Sequence, residues 1–417
     1  MVSIYRIVPH LCIVYVRYDE ASGGCYKISE RRLYFKSATS SGVADFYLYL
    51  CQVKNYDMKA ILLTTMIAYT GGNIYLFIRS LQQMSGLPMW SKVVFGVLFW
   101  VVALALFIAI GARNIELPEV VARTLFRAGS VWMVFLLYMV FSLVVADLLR
   151  LALPHFNGFY YALGFTLCLL IYGYWNYRHP RIEQLNIEIE KPLKKPIRIV
   201  AVSDVHLGYG TDKRAIKRYV KLINEQQPDL ILIGGDLIDS SLKPVREQQM
   251  EGELRELNAP MGIYMVMGNH EYISGAEECA SFLKTTPIKL LRDEVVTLEN
   301  GVQIIGRDDR TNRHRKSLEQ LLGECESSKP IIVVEHQPYQ LSKADSLGVD
   351  FQFSGHTHRG QVFPLNLLTD RMFEQSHGYR RWSHAHIYVS CGLSLWGPPF
   401  RIGTNSDMAV ITLSGKE

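Results

Sequence analysis

Four apolar stretches, roughly at 61–78, 93–112, 129–149 and 156–175, constrain this chain more than any other feature. Each approaches the ~20 residues that a helix needs to cross a hydrocarbon layer. The second carries no charge, whereas the first is interrupted by Thr64, Thr65, Thr70 and Gly71-Gly72-Asn73. Four such runs in series, joined by short loops, argue against buried helices of a soluble core and for a transmembrane region at 58–178. Asp147, near the end of the third run, is expected at the interface or facing the bundle. Basic flanking residues set the orientation. Lys54, Lys59, Arg113, Arg123, Arg127, Arg178 and Arg181 fall on one side, and Arg79, Lys92 and Arg150 on the other. This places both chain ends, and everything after Trp175, in the cytoplasm, with the bilayer as a partner.

Residues 1–57 mix polar, basic and aromatic side chains without periodicity, and the run at 11–16 is too short to span a membrane. One expectation is that the native chain starts at Met58 and that this segment is an upstream extension. The seven cysteines are scattered and lack Cys-x-x-Cys spacing, so reduced thiols are expected rather than a disulfide frame or a thiolate metal site. The net charge of +5 is spread along the chain and implies no nucleic-acid partner.

Residues 179–195 read as a charged linker. After Lys195 the pattern changes to strands alternating with helices, an α/β domain at 196–417. Strands are expected at 197–203, 230–233, 262–267, 302–305, 331–334, 351–353 and 387–389, and helices at 213–226 and 248–257, with 316–322 a further candidate. The number of late strands points to two packed sheets.

Chemistry collects where these strands stop. Four apolar residues from Leu230 lead into Gly234-Gly235-Asp236-Leu237-Ile238-Asp239. The first strand ends in Ser203-Asp204-Val205-His206, and the third in Gly268-Asn269-His270-Glu271. His336 follows Ile-Ile-Val-Val-Glu, and Gly355-His356-Thr357-His358 closes the series. Residues i and i+2 of an extended segment project to the same side, so Asp-x-His and His-x-His can each grip one cation. Oxygen and nitrogen donors without cysteine suit Mn, Fe or Zn, and the donors outnumber what one four-coordinate ion needs. A carboxylate bridging two ions about 3.5–4 Å apart is the arrangement that activates water for in-line phosphoryl hydrolysis, and Asp236 is the best candidate for it.

In this order the five motifs resemble the calcineurin-like metallophosphoesterase superfamily over about 196–414. The stretch from Gly392 to Gly403 is similar to its membrane-associated bacterial branch, whose members carry N-terminal transmembrane segments. The resemblance implies a four-layer α/β/β/α sandwich following the helical bundle, and two divalent metal ions. One ion would take Asp204, His206, Asp236 and His358. The second would share Asp236 and add Asn269, His336 and His356. His270 would be the acid that steadies phosphoryl oxygens or protonates the leaving group, with Asp239 orienting a metal ligand and Glu271 either holding His270 or starting a helix. Relatives often have Gly-Gly-Gln after the His-x-His, and here Arg359-Gly360-Gln361 stands. Arg359 is a candidate phosphate contact or a surface residue. The basic loop 307–316 reads by default as solvated, and His384 and His386 as a strand edge.

The function expected is a membrane-anchored, dinuclear metal-dependent phosphohydrolase acting on a phosphodiester or pyrophosphate bond. Tethering favours a phosphorylated, lipid-linked substrate of the UDP-diacylglucosamine type. Two alternatives are a phosphodiesterase for soluble nucleotides, and a membrane sensor or transporter with a regulatory phosphoesterase-like module.

Overall fold

The computed structural model describes residues 16–18, 25–27, 55–111 and 117–416. The expectation of a start at Met58 concerns a segment that lies mostly outside them. Within it, β1 (Val16–Tyr18) pairs antiparallel with β2 (Cys25–Lys27).

Four helices follow: α1 (Asn55–Gln83), α2 (Met89–Gly111), α3 (Glu119–Ala152) and α4 (Phe159–Arg178). They pack on a shared core that includes Leu76, Phe99, Ala103, Leu136, Met139, Leu143 and Phe159. The outward faces are also apolar: Leu98 is 60% exposed and Ile171 71%. A helix that is apolar all round fits a bilayer rather than water. Among the described residues, α2 and α3 are both long enough and apolar enough to cross a membrane. Asp147 faces the bundle, where its carboxylate accepts from the Tyr75 hydroxyl at 2.5 Å and from Arg79 at 2.7 Å.

The rest is built on two six-stranded sheets. The first runs β3 (Arg181–Ile189), β14 (Asp407–Gly415), β4 (Ile197–Val202), β5 (Leu230–Ile233), β6 (Ile263–Val266), β7 (Ile288–Leu291). The second runs β12 (Gly378–Arg381), β13 (His386–Val389), β11 (Phe351–Ser354), β10 (Ile331–Val334), β9 (Gln303–Gly306), β8 (Glu294–Thr297). Strand alternation decides the layers. Ile199, Ala201, Leu230 and Leu232 meet Ile304, Ile332, Val334, Phe351 and Phe353 between the sheets. Their neighbours Val200, Val202, Ile231 and Ile233 pack outward beneath helix α5 (Lys213–Asn224) and the short helices after it. On the far side Ile305, Ile331 and Val333 lie under helices at 318–322 and 341–346. The result is a four-layer α/β/β/α sandwich.

Three sequence expectations need correcting. The segment 179–195 is not simply a linker: β3 occupies 181–189 and pairs in parallel with β14 along its whole length. Its first four residues are exposed, which hides an edge strand from a pattern search. The helix expected at 248–257 is instead two short turns, Lys243–Glu247 and Glu251–Leu254. The loop 307–316 is anchored rather than freely solvated, because Arg307, Asp308 and Asp309 are buried and Glu335 receives Arg307 at 2.6 Å and Arg315 at 2.8 Å.

Candidate metal centre

Every motif residue sits just beyond the end of a parallel strand, where open α/β sheets gather ligands. β4 delivers Asp204 and His206, β5 Asp236 and Asp239, β6 Asn269 and His270, β10 His336, and β11 His356 and His358. The loops are tightly stitched. Asp204 N–H donates to the Gly235 carbonyl, and His206 N–H to that of Asp236, each at 3.0 Å. A Cβ on Gly268 would press into the Asp236 carboxylate, and one on Gly355 into Ser203 and Asp204. The chain here also adopts a conformation that L-residues avoid: φ is +56° at Asp204, +50° at His206, +51° at Asp236, +73° at His356 and +46° at His358. Left-handed backbone at five motif residues is strain held in place by the surrounding fold.

The side chains fall into overlapping groups whose candidate donor atoms lie within 4.8 Å of one another: Asp204, His206 and His358; Asp236, His336 and His356; and His206, Asp239 and His270. His336 joins Asn269 to the second group, its Nε2 lying 3.1 Å from Asn269 Oδ1 and 3.2 Å from Asp236 Oδ2. In the first group the Nε2 atoms of His206 and His358 face each other at 3.1 Å, with Asp204 Oδ1 3.4 Å from His358.

Two features fit these groups to cations. His336 Nδ1 lies 2.8 Å from the Gly234 carbonyl, so it carries a proton. In a neutral ring its Nε2 then presents a lone pair to two oxygen acceptors, an arrangement that needs a positive centre. The second feature is charge. Asp204 and Asp236 are 0% and 2% exposed, yet among the described residues no lysine or arginine bridges either one. Buried carboxylates without a counter-charge are costly. The imidazoles supply part of the compensation. Burial pushes the Asp236 carboxyl upward, but His336 and His270 outweigh it and hold it well below the usual range. Burial would likewise keep His336 neutral, yet Asp236 raises its pKa well above the ordinary value. Cations would displace such protons.

His270 stands at the edge of this cluster. Its Nδ1 lies 3.0 Å from Asp239 Oδ1, while its backbone N–H donates to Asp236 Oδ1 at 2.8 Å. Burial lowers its pKa, but Asp236 and Asp239 together raise it to about 9. Asp239 thus contacts His270 directly and sits 3.8 Å from His206 Nδ1. Arg359 lies outside the cluster, its guanidinium 3.3 Å from Asp370.

Two supporting residues were not resolved from sequence. Glu271, fully buried, accepts the backbone N–H groups of Asp236 at 2.9 Å, Ile238 at 2.9 Å and Gly268 at 2.8 Å. One carboxylate therefore ties the loop after β5 to the loop after β6. It also starts the helix Asn269–Ser274, as the Glu two residues past a Gly-Asn allows. Arg401, 0% exposed, donates to the His358 carbonyl at 2.7 Å and to the Gly392 carbonyl at 3.2 Å. Nothing short of the fold distinguishes it from a surface arginine.

The sequence profile of the calcineurin-like phosphoesterases matches residues 197–360. An uncharacterised metallophosphoesterase of Helicobacter pylori is 35% identical over 264 residues, covering 61% of this chain and 70% of its own. The chain belongs to the calcineurin-like metallophosphoesterases. A further relative in Aquifex aeolicus is 31% identical over 57% of this chain and 92% of its own. A "Transmembrane protein with metallophosphoesterase domain" of Danio rerio is 31% identical over 60% of this chain and 62% of its own. Among solved structures, a dimetal phosphatase from Danio rerio matches 48% of this chain at 12% identity with a TM-score of 0.33, too slight a likeness to bear on the argument. As a member of this family the chain is a metal-dependent phosphoesterase, and its apolar helices associate it with a membrane.

Proposed function

We propose that this metallophosphoesterase is a multi-pass membrane protein whose dinuclear centre, on the cytoplasmic face, hydrolyses a phosphodiester or pyrophosphate bond in a lipid-linked substrate. The observation that carries the reading is the seam between bundle and sandwich. Arg401 N–H donates to the Gly173 carbonyl of α4 at 2.9 Å, while its guanidinium holds the His358 carbonyl. The Tyr177 hydroxyl lies 3.1 Å from Ser394 Oγ, and the Tyr138 hydroxyl donates to the Phe363 carbonyl at 2.8 Å. A metal site braced against a membrane helix suits a substrate that arrives in the membrane. The basic flanks Arg123, Arg127 and Arg178 lie on the sandwich side of the bundle, which supports a cytoplasmic position for it.

In this reading Asp204, His206 and His358 would hold one ion, Asn269, His336 and His356 the other, and Asp236 would serve both. Divalent cations held there would draw charge from the phosphoryl oxygens and acidify water at neutral pH. The chain's own part is to place the bond and manage the proton. Asp239 accepts from His270 Nδ1 and favours the imidazolium, whose Nε2–H is then free to donate to the leaving oxygen. The Asp239 charge and this hydrogen bond favour keeping that proton.

The test is hydrolysis of bis-p-nitrophenyl phosphate with Mn by the purified full chain beside Asp236→Ala. Losing an outer partner of a metal ligand costs roughly 10–100-fold, so loss of the bridge should exceed ~100-fold. Turnover unchanged in Asp236→Ala would refute the site.

A further inference from the structure

The helix Leu365–Met372 is amphipathic in the wrong sense for water. It buries Asn366 and Thr369 and exposes Leu365, Leu367, Leu368 and Met372. Leu367, Leu368 and Met372 are 54%, 58% and 63% exposed, and Phe363 just before the helix is 48% exposed. A contiguous apolar patch of this kind marks an interaction site.

Its place in the fold names the occupant. The segment leading into the helix rises against the bundle, where Val362, Phe400 and Ile402 pack with Val134 and Tyr138 of α3 and Leu170 of α4. On α4 the exposed rings of Tyr172, Tyr174 and Trp175 lie nearer the sandwich than Leu170 does. Exposed Tyr and Trp at the end of a span mark the level of the membrane interface. Val362 therefore packs on the bundle deeper than those rings, the Phe363 carbonyl accepts from the Tyr138 hydroxyl, and the helix leaves from there.

The other end of the patch is the metal centre. The helix follows His358 by seven residues, and Gly360 packs against the Leu365 backbone. Trp396, 47% exposed, is bound through its carbonyl to Gln361 at 3.2 Å, and its ring centroid lies 6.2 Å from that of His270. We propose that residues 363–372 lie in the interfacial layer of the bilayer, and that with Trp396 they form an apolar approach along which an acyl-bearing substrate passes sideways from the membrane to His270. This rests on the membrane-embedded reading of the four helices and identifies the lipid side of the same site.

Embedding is tested without chemistry. Benzoylphenylalanine is placed at Leu368, at Tyr161 in the bundle, and at Glu299 in an exposed turn of the sandwich, each in the full chain reconstituted into phosphatidylglycerol vesicles. After irradiation, phospholipid adducts are expected on the peptides carrying positions 368 and 161 and not on that carrying 299. Adducts at 161 without any at 368 would overturn the proposal. The approach is tested with two nitrophenyl phosphodiesters of the same reacting bond, methyl p-nitrophenyl phosphate in solution and hexadecyl p-nitrophenyl phosphate in vesicles. Leu367→Gln with Leu368→Gln should raise KM for the hexadecyl ester about tenfold and leave kcat/KM for the methyl ester within about twofold. Equal effects on both esters would refute the approach while leaving the phosphoesterase reading intact. Failure of the unsubstituted chain to cleave either ester would instead count against that reading, and the adduct experiment would still decide the embedding.

Discussion

The sandwich and the bundle bury opposite things. In the sandwich, charged and polar side chains are taken out of water and fully committed: Asp204, Asp236, Glu271, His336 and Arg401 are all 2% exposed or less. In the bundle the interior is apolar, and Leu98 and Ile171 turn their side chains outward. Its polar groups gather in few places. Asp147 pairs with Arg79 and Tyr75, and Asn73 accepts from Trp132 at 2.9 Å. Asn176 and Tyr138 instead face the sandwich. The sandwich uses buried polarity to hold a site, and the bundle uses it partly to hold its own helices and partly, through Asn176 and Tyr138, to join that site. The two regions should therefore fail in different ways when a polar group is removed.

The largest effect is expected inside the sandwich. Glu271→Gln keeps the size of the side chain but presents one acceptor oxygen to three backbone N–H groups held by two oxygens. An unmet buried partner costs about 1–3 kcal/mol, and more when the lost acceptor was charged. For a domain of this size that corresponds to a fall of roughly 10 °C in thermal midpoint. Bound metal should fall with it, because the two loops that Glu271 ties carry Asp236 and Asn269. An unchanged midpoint would mean that the loops hold themselves, and the contrast between the regions would lose its strongest support.

Asp239→Asn should act on the proton rather than on the fold. The amide no longer holds the His270 proton by charge, and hydrolysis should fall about 10–100-fold while metal content stays. The metal-free protein gives a second readout. His270 is raised from 6.5 to about 9, so its contribution to stability is complete below pH 6.5 and is lost as pH rises through about 9. In EDTA the thermal midpoint of the unsubstituted chain should fall across that window. In Asp239→Asn the fall should be smaller and finish at lower pH, since Asp236 and Glu271 then support the proton without Asp239. Superimposable pH profiles would remove Asp239 from the catalytic pair.

The strand ends were legible because four consecutive apolar residues followed by glycine or a ligand-type residue leave few other readings. The residues that gather in space are those the motifs named, each within a few positions of β4, β5, β6, β10 or β11. What stayed hidden has physical causes. The left-handed φ of Asp204, His206 and His358 is imposed by close packing between loops, not by local propensity. β3 has a polar, exposed first half and finds its partner β14 at the opposite end of the domain, so no local periodicity reveals it. Arg307 and Asp308 read as solvated because charge runs usually are, yet Glu335 and Tyr272 supply them with partners. Arg401 is the plainest case, since its partners are mostly backbone carbonyls that no sequence displays.

The smallest effect should come from the seam, and it decides whether α4 only tethers. Asn176 Nδ2 donates to the Arg401 carbonyl at 3.0 Å and to the Thr404 carbonyl at 2.8 Å. Asn176→Ala leaves those two buried carbonyls without a donor from the helix, while the sandwich core and all the motif side chains remain untouched. Under-satisfied carbonyls are better tolerated than orphaned N–H groups, so the loss should sit near the low end, about 1 kcal/mol. The midpoint should move by only a few degrees. Hydrolysis should nonetheless fall several-fold, because Arg401 carries the displacement to the His358 carbonyl and to Gly392, which packs against Asp204 and His358. Rates and metal content equal to those of the unsubstituted chain would show that the seam bears no load on the site. A rate loss at full metal content would show that the helix positions the centre it anchors, and that the two regions work as one body.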